Sequence, residues 1–281
     1  NYYLSSLRDL QDFGSNNKFL KFLQYGLNRL ITNRNLKKSN YDVFHPTYYD
    51  KYFLKNLKKP FVLTIYDMTH EIFPTNFSFY DKTIEYKKIL AQKADIIIAI
   101  SHSTKNDIIK YYKIDPKKII VIHLAYSPFS NSIKDTDSLD LPTKYILFVG
   151  SRSHYKNFEF LINSISELLL EDNELYLICS GGGSFNQKEI DFLNQQRLND
   201  KVIQISASDS QLSELYQNAL TFVFPTLYEG FGLPVLEAFA NKCPVITSNT
   251  SSLPEVAGNA ALFFDPNDET DCRNQIEKVM N

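Results

Sequence analysis

The sequence lacks long apolar runs, a strong net charge and any visible signal peptide. A membrane-spanning helix needs about 20 consecutive apolar residues, and no run of that kind occurs in the chain. We therefore expect no membrane span, and we predict a cytoplasmic location. The formal net charge of −2 gives no reason to expect nucleic acid as a partner, because proteins that bind it present strongly basic surfaces.

Cysteine is also scarce, with only Cys179, Cys243 and Cys272 in the chain. These residues lie far apart and show none of the short spacings that are typical of a zinc site. Cys179 and Cys243 are in apolar segments that resemble strands, so we expect buried thiols there. These features fit a reduced compartment, and they predict no metal centre.

The organisation of the chain indicates two α/β domains. Its 281 residues are about right for two domains, and its hydrophobic fraction of 43% is ordinary for a globular protein. Nearly continuous apolar segments, which are typical of buried parallel strands, alternate with helical patterns. We expect strands at residues 41–45, 61–66, 95–100, 118–124, 145–149, 175–179, 201–205, 222–224, 244–248 and 261–264.

A polar segment at 126–144 contains two prolines and separates these strands into two groups. We predict two doubly wound, Rossmann-like domains with parallel sheets, at 1–140 (linker included) and 141–281, facing a cleft. Ligands of such domains bind beyond the carboxyl ends of the strands, so the cleft is the expected site.

The segment 18–38 predicts a basic, amphipathic helix. Two interpretations remain open. The helix could lie on the surface of the first domain, or it could contact an anionic membrane from the cytoplasmic side. The residues that can share its apolar face are Phe19, Phe22, Leu23, Leu27 and Leu30.

The segment 222–237, FVFPTLYEGFGLPVLE, is the most informative part of the chain. It predicts a short buried strand, a loop with Gly230 and Gly232, and a helix that begins near Pro234. The free N–H groups and the positive dipole end of such a helix favour a phosphate over the loop. Glu229 and Glu237 lie on either side of the glycines. Glu237 falls in the predicted first turn, where a carboxylate could also simply stabilise the helix dipole.

This segment resembles the E-x7-E signature of the retaining glycosyltransferases of family GT4, which have the GT-B fold. The resemblance implies that Glu237 holds the ribose hydroxyls of a nucleotide and that Glu229 contacts the transferred sugar. It also implies that backbone N–H groups of the loop meet donor oxygens. The implied donor-binding residues are Gly150, Gly182, Gly230, Phe231, Gly232, Leu233, Glu237 and Ser248.

The turn after the predicted strand at 145–149 carries two cations, Arg152 and Lys156. At the carboxyl end of a strand they suit a diphosphate, which an arginine can bind through two hydrogen bonds. Taken alone, they could also be surface charges. The segment 150–157, GSRSHYKN, resembles the motif with which GT4 enzymes bind the donor diphosphate and stabilise the leaving nucleotide. We therefore predict Arg152, Lys156 and Glu229 as the catalytic residues.

Four residues of the first domain follow predicted strands, two of them in a predicted loop at 67–74, and could contact the sugar or the acceptor: His45, Tyr66, Asp67 and His70. GT4 enzymes often have a histidine at the position of Tyr66, so His45 or His70 could make that contact instead. A single histidine in a loop is more often a structural or exposed residue than one that contacts a substrate.

Other motifs have simple structural explanations. Ser252 and Glu255 have the spacing of a capping box, and the segment 101–107, which resembles a helix start of the family, can be explained as a helix cap. The glycines at 181–183 are not a dinucleotide fingerprint, because Asn186 stands where the last glycine is needed. Residues 135–137 match a DxD metal motif of another glycosyltransferase fold, but a solvated linker explains them.

The resemblance implies a metal-independent, retaining hexosyltransferase without a cofactor. It would move a hexose from a nucleoside diphosphate sugar to a glycan or a lipid-linked glycan, as in bacterial O-antigen or capsule synthesis. The motifs of this sequence are most similar to those of mannosyltransferase-like members of the family, so GDP-mannose is the expected donor. The first strand and glycine-rich loop of the family have no counterpart here, so we expect an incomplete N-terminal domain. The alternative is an inactive scaffold or regulatory subunit of the same fold.

Overall fold

The structure is a computed structural model that describes residues 18–126, 139–152 and 154–281. Within these ranges the strands form two separate parallel sheets, one in each half of the chain. The predicted α/β architecture with two Rossmann-like halves is therefore confirmed. The domain boundary after residue 140 stays a prediction, and the DxD-like residues 135–137 lie outside the described ranges.

The N-terminal half begins with helix α1 (Lys18–Lys38) and contains a parallel sheet in the order β1-β2-β3. Helices connect the strands, and alternate apolar strand residues such as Leu63, Ile97 and Ile119 are buried. The elements after α1 are β1 (Val62–Ile65), α2 (Thr69–Ile72), α3 (Thr83–Lys93), β2 (Ile96–Ala99), α4 (His102–Tyr112) and β3 (Ile119–Val121).

The C-terminal half contains a six-stranded parallel sheet in the order β6-β5-β4-β7-β8-β9. Because the order reverses between β4 and β7, the carboxyl ends of these two neighbours flank the switch point, where ligands of doubly wound sheets bind. The elements are β4 (Lys144–Val149), α5 (Phe158–Glu171), β5 (Leu175–Ser180), α6 (Gln187–Gln195), β6 (Val202–Ile205), α7 (Asp209–Asn218), β7 (Thr221–Phe224), α8 (Leu233–Ala240), β8 (Val245–Ser248), α9 (Leu253–Ala257), β9 (Leu262–Phe264) and α10 (Glu269–Met280).

All three cysteines are buried in the C-terminal half, which confirms the expectation for Cys179 and Cys243. Burial raises the pKa of Cys243 and Cys272 to about 12. These side chains therefore stay protonated near neutral pH and act as small apolar groups in the core.

Two local predictions were wrong. The strand expected at 41–45 is reduced to a single bridge between Phe44 and Phe61, because Pro46 follows closely and has no N–H to extend a ladder. The loop expected at 67–74 contains the short helix α2. The side chain of Asp67 accepts a hydrogen bond from the N–H of Thr69 at 3.0 Å and so supports the start of that helix.

Helix α1 matches the predicted span 18–38. Near its end Leu36 is buried against the N-terminal core, whereas Leu27 and Leu30 are exposed. Across the described parts of the chain, no helix has the length and apolar character needed to span a bilayer. Contact of α1 with a membrane surface stays a prediction.

Candidate active site at the switch point of the C-terminal sheet

Two loops that follow the neighbouring strands β4 and β7 are bound to each other. The carbonyl oxygen of Tyr155, in the loop after β4, accepts hydrogen bonds from the N–H of Leu227 at 2.8 Å and from Oγ1 of Thr226 at 3.1 Å. Both of these donors lie in the loop after β7. The switch-point geometry and these bonds bring the predicted residues Lys156 and Glu229 together.

Lys156 and Glu229 form an ion pair, and each side chain is only 15% exposed. Burial raises the pKa of the Glu229 carboxyl, and the charge and hydrogen bond of Lys156 oppose that rise. The N–H of Glu229 also donates to Oγ of Ser251 at 3.0 Å. The pair is thus a preorganised, partly desolvated charge centre, in which electrostatic interactions are stronger than in water.

Helix α8 begins at Leu233, directly after Gly232, which has a left-handed backbone with φ of 98°. This conformation suits glycine. In the first turn Pro234 has no N–H, and the N–H of Val235 donates to the carbonyl oxygen of Gly232 at 3.0 Å, so the helix start offers mainly the positive end of its dipole. Glu237 lies in the second turn of α8, so the expectation that it lies in the first turn was wrong. Its carboxylate accepts a hydrogen bond from Tyr216 at 3.2 Å, and burial raises its pKa.

Arg152 occupies a different position from the one its sequence context suggests. Its guanidinium donates to carbonyl oxygens of the glycine loop after β5, among them Gly181 and Gly183, each at 2.9 Å. It also forms an ion pair with Glu189 at 2.8 Å, and its side chain is 2% exposed. The loop with Gly182 is therefore held by Arg152. Contact of Arg152 with a diphosphate stays a prediction and requires an exchange of these partners.

The glycine loop after β7 is docked onto the N-terminal half. The carbonyl oxygen of Gly230 accepts hydrogen bonds from Oγ of Ser101 at 2.8 Å and from Oγ1 of Thr104 at 3.2 Å. A Cβ atom at Gly230 would collide with the carbonyl oxygen of Tyr66. Ser101 caps α4 as predicted, but the same side chain also binds the other half of the molecule, which the sequence pattern did not indicate.

Tyr228 makes a second bridge between the halves. Its hydroxyl donates to the carboxylate of Asp107 at 2.9 Å and accepts from the N–H of Met68 at 3.1 Å. Sequence reasoning missed this residue, because a tyrosine next to a glutamate carries no signal of its own. The bridge ties the loop after β7, at the residue next to Glu229, to α4.

The structure separates the four predicted residues of the N-terminal half. Tyr66 and Asp67 lie against Gly230 and border the charge centre. His70 stacks on Phe77 with ring centroids 3.7 Å apart. His45 is exposed, and its Nε2 lies 2.8 Å from Oγ1 of Thr64. Contact of any of these residues with the sugar or the acceptor stays a prediction.

Two serines support the backbone of the site. Oγ of Ser248 donates to the carbonyl oxygen of Thr226 at 2.6 Å, and Oγ of Ser252 donates to the carbonyl oxygens of Glu229 and Phe231, each at 2.9 Å. The predicted capping box of Ser252 and Glu255 was therefore wrong. Ser252 makes no side-chain cap, because it binds the loop after β7.

Glu255 instead joins the two halves of the molecule. Its carboxylate accepts hydrogen bonds from the N–H groups of His102, at 2.8 Å, and Ser103, at 3.3 Å, at the start of α4. It also contacts Nε2 of His123 at 2.6 Å. Burial alone would raise the pKa of Glu255, but these hydrogen bonds outweigh it and lower the pKa overall.

Two facing parallel-sheet halves, with a glycine loop and a helix N-terminus at the switch point, define the GT-B fold of glycosyltransferases. Solved structures share this architecture. A glycosyltransferase from Rickettsia africae aligns with a TM-score of 0.67 at 19% identity, over 99% of this chain and 77% of that one. Anabaena HepE in complex with UDP and glucose aligns with a TM-score of 0.70 at 15% identity, over 89% and 71%.

The chain belongs to the glycosyl transferases group 1 family, whose model matches residues 129–281. The model of Glycosyltransferase Family 4 matches residues 12–127. Together the two matches confirm the GT4 resemblance of the segment 222–237.

Curated relatives include mannosyltransferases of O-antigen synthesis. O-antigen chain mannosyltransferase B of Escherichia coli is 34% identical over 62% of this chain and 49% of its own length. O-antigen chain mannosyltransferase RfbU of Salmonella typhimurium is 28% identical over 77% of this chain and 60% of its own length. The chain thus spans about half the length of these relatives.

Proposed function

We propose that this protein is a retaining glycosyltransferase that moves a hexose from a nucleoside diphosphate sugar to a hydroxyl of a glycan acceptor. The observation that carries the proposal is the buried pair of Lys156 and Glu229 at the switch point, beside the N-terminus of α8. A cation and the positive end of a helix dipole at one point suit the two phosphates of a donor.

The donor would lie over the loop after β7. Its diphosphate would approach Lys156 and the N-terminus of α8, its ribose diol would donate to Glu237, and its sugar would lie beside Glu229. A carboxylate can accept two hydrogen bonds from a diol, and it can do so beside the bond that Glu237 accepts from the Tyr216 hydroxyl. Arg152 would reach the diphosphate only after leaving Glu189.

In the transfer step, the bond between the anomeric carbon and the diphosphate oxygen breaks, and its electron pair stays with the diphosphate. The acceptor hydroxyl forms the new bond on the same face of the sugar, and its proton passes to the departing phosphate oxygen. Lys156 and the helix N-terminus stabilise the negative charge that develops on the leaving group. The reacting centre needs neither a cofactor nor a metal ion in this proposal.

The mannosyltransferase relatives favour mannose as the sugar and GDP-mannose as the donor. The relatives of O-antigen synthesis favour an acceptor that is a glycan or a lipid-linked glycan of a surface polysaccharide. Helix α1, which exposes Leu27 and Leu30 and carries basic residues, is suited to rest on an anionic membrane where such an acceptor would be anchored.

Ligand-induced stabilisation tests the donor site. We expect GDP to raise the melting temperature more than UDP, TDP or CDP without added metal, with NAD as the negative control. At about a hundredfold excess over the dissociation constant, the stabilisation should be about 2.7 kcal/mol. Glu237→Ala and Lys156→Ala should each weaken binding by about tenfold or more, because each removes a charged or bidentate partner.

A transfer assay with the same variants completes the test. Lys156→Ala should slow transfer from GDP-mannose by about a hundredfold or more, because it removes a cation aimed at the leaving group. Transfer near the wild-type rate in this variant would contradict the mechanism. Absence of stabilisation by every nucleoside diphosphate would contradict the donor site itself and would favour the scaffold alternative.

A further inference from the structure

A cluster of three potential metal ligands lies where the two halves of the protein meet. His102 is the first residue of α4, His123 follows β3, and Glu255 is in α9 of the other half. One ligand atom from each residue lies within 4.8 Å of the others. We propose that these three side chains bind a divalent transition-metal ion, with zinc as the best fit, that links the two halves.

The geometry is close to that of a metal centre. Nε2 of His123 is 2.6 Å from Oε1 of Glu255, and the rings of His102 and His123 have centroids 6.0 Å apart with an interplanar angle of 74°. Ligand atoms around a tetrahedral zinc are separated by about 3.3 Å, since each lies about 2.0–2.1 Å from the metal. Small side-chain rotations therefore suffice to place all three atoms around one ion.

Backbone N–H groups position the carboxylate of Glu255, and these hydrogen bonds can persist when an ion binds. The N–H groups of His102 and Ser103 donate to it. Such outer contacts orient a carboxylate ligand and support its affinity for metal. On binding, the ion would replace the proton between His123 and Glu255, so that each offers a lone pair to the metal.

The donor set selects the class of ion. Two imidazole nitrogens and one carboxylate oxygen suit zinc and its neighbours nickel and cobalt, whereas magnesium and calcium prefer oxygen ligands. Both histidines are exposed, and the side chain of Glu255 is 19% exposed, so an ion and a fourth ligand from water can reach the site.

The ion would act on the relative position of the halves and not on the reaction itself. Its ligands come from both halves, so binding favours the arrangement in which Gly230 is docked on Ser101. The same region of the C-terminal half contains Ser252, which binds the carbonyl oxygens of Glu229 and Phe231. The ion thus stabilises the observed contact between the two halves.

Direct metal titration tests the site. We expect zinc to bind the wild-type protein with one equivalent in calorimetry and to raise its melting temperature, and we expect cobalt to give the visible absorption of a low-symmetry site. His123→Asn, His102→Asn and Glu255→Gln should each lower zinc affinity by at least about tenfold. His45→Asn is the matched control, because His45 is exposed and lies outside the cluster.

Melting temperatures of all variants without metal would show that each is folded. Zinc binding that is equally strong in the three variants, or no zinc binding to the wild type, would overturn the proposal, and His123 and Glu255 would then be only an ion pair. Nucleotide binding measured in a chelator tests the donor site separately, so failure of the metal site leaves that result unaffected.

Discussion

At the scale of single residues, backbone conformation reveals strain that composition does not show. Lys113 and Lys242 have left-handed backbones at the ends of α4 and α8, with φ of 56° and 59°. Such conformations cost a non-glycine residue about 1 kcal/mol or more. Asn241, a residue type that tolerates the left-handed conformation, has φ of −96°, and the lysine after it takes the strained position.

We predict that Lys242→Gly and Lys113→Gly each raise the free energy of unfolding by about 0.5–1 kcal/mol, because glycine adopts this conformation without a steric penalty. The gain is reduced by the extra freedom of glycine in the unfolded chain. Chemical denaturation would measure the change. A loss of stability in both variants would mean that the lysine side chains make compensating contacts.

At the scale of elements, a buried charge network joins the helices of the N-terminal half. Lys87 of α3 is fully buried and donates to the carboxylate of Glu71 in α2 at 2.8 Å and to the carbonyl oxygen of Asp67 at 3.0 Å. The hydroxyl of Tyr112, in α4, also donates to Glu71. One carboxylate therefore holds α2, α3 and α4 together beneath the cleft.

Glu71→Leu should lower the free energy of unfolding by about 3–5 kcal/mol, because it removes the carboxylate nearest to the buried charge of Lys87 and leaves it with the more distant carboxylate of Asp67, at 4.0 Å. The matched control is Glu85→Leu, which removes an exposed carboxylate paired with Lys51; its effect should be much smaller. Thermal and urea unfolding of both variants would measure the difference. Equal effects would argue against a structural role of the buried network.

At the scale of the whole molecule, one of the contacts between the halves is a close approach of two backbone segments. Gly230 meets the carbonyl oxygen of Tyr66 so closely that no side chain fits between them. The hydroxyls of Ser101 and Thr104 then bind Gly230 from the other half. The loop that is expected to hold the donor is thereby part of the contact between the halves.

Gly230→Ala should separate the halves and lower transfer by about tenfold or more, because misplacement of a positioning group by about 1 Å can cost more than that. Small-angle scattering should show a larger radius of gyration, while circular dichroism stays unchanged. Gly26→Ala is the control, since an added Cβ meets nothing within 4 Å there. Wild-type activity in Gly230→Ala would contradict a functional role for the contact.

Much of the fold and part of the site could be predicted from the sequence. Apolar segments located the strands of both sheets, and the glycine and proline positions located the loop and start of α8. The family resemblance assigned Lys156 and Glu229 to one donor site, but their ion pair appears only in the structure. The partners of Arg152, the bridge through Tyr228 and the cluster around Glu255 could not be predicted, since residues far apart in the chain form them.

The sequence by itself determined the local elements and the residue types at the strand ends, because hydrophobic period and backbone preference act over a few neighbouring residues. The tertiary structure alone decided which polar groups satisfy one another. Arg152 binds the glycine loop, and Ser252 binds the loop after β7 and not its own helix. Burial makes an unpaired polar group costly, so each group takes whichever partner the packing of the two halves brings within reach.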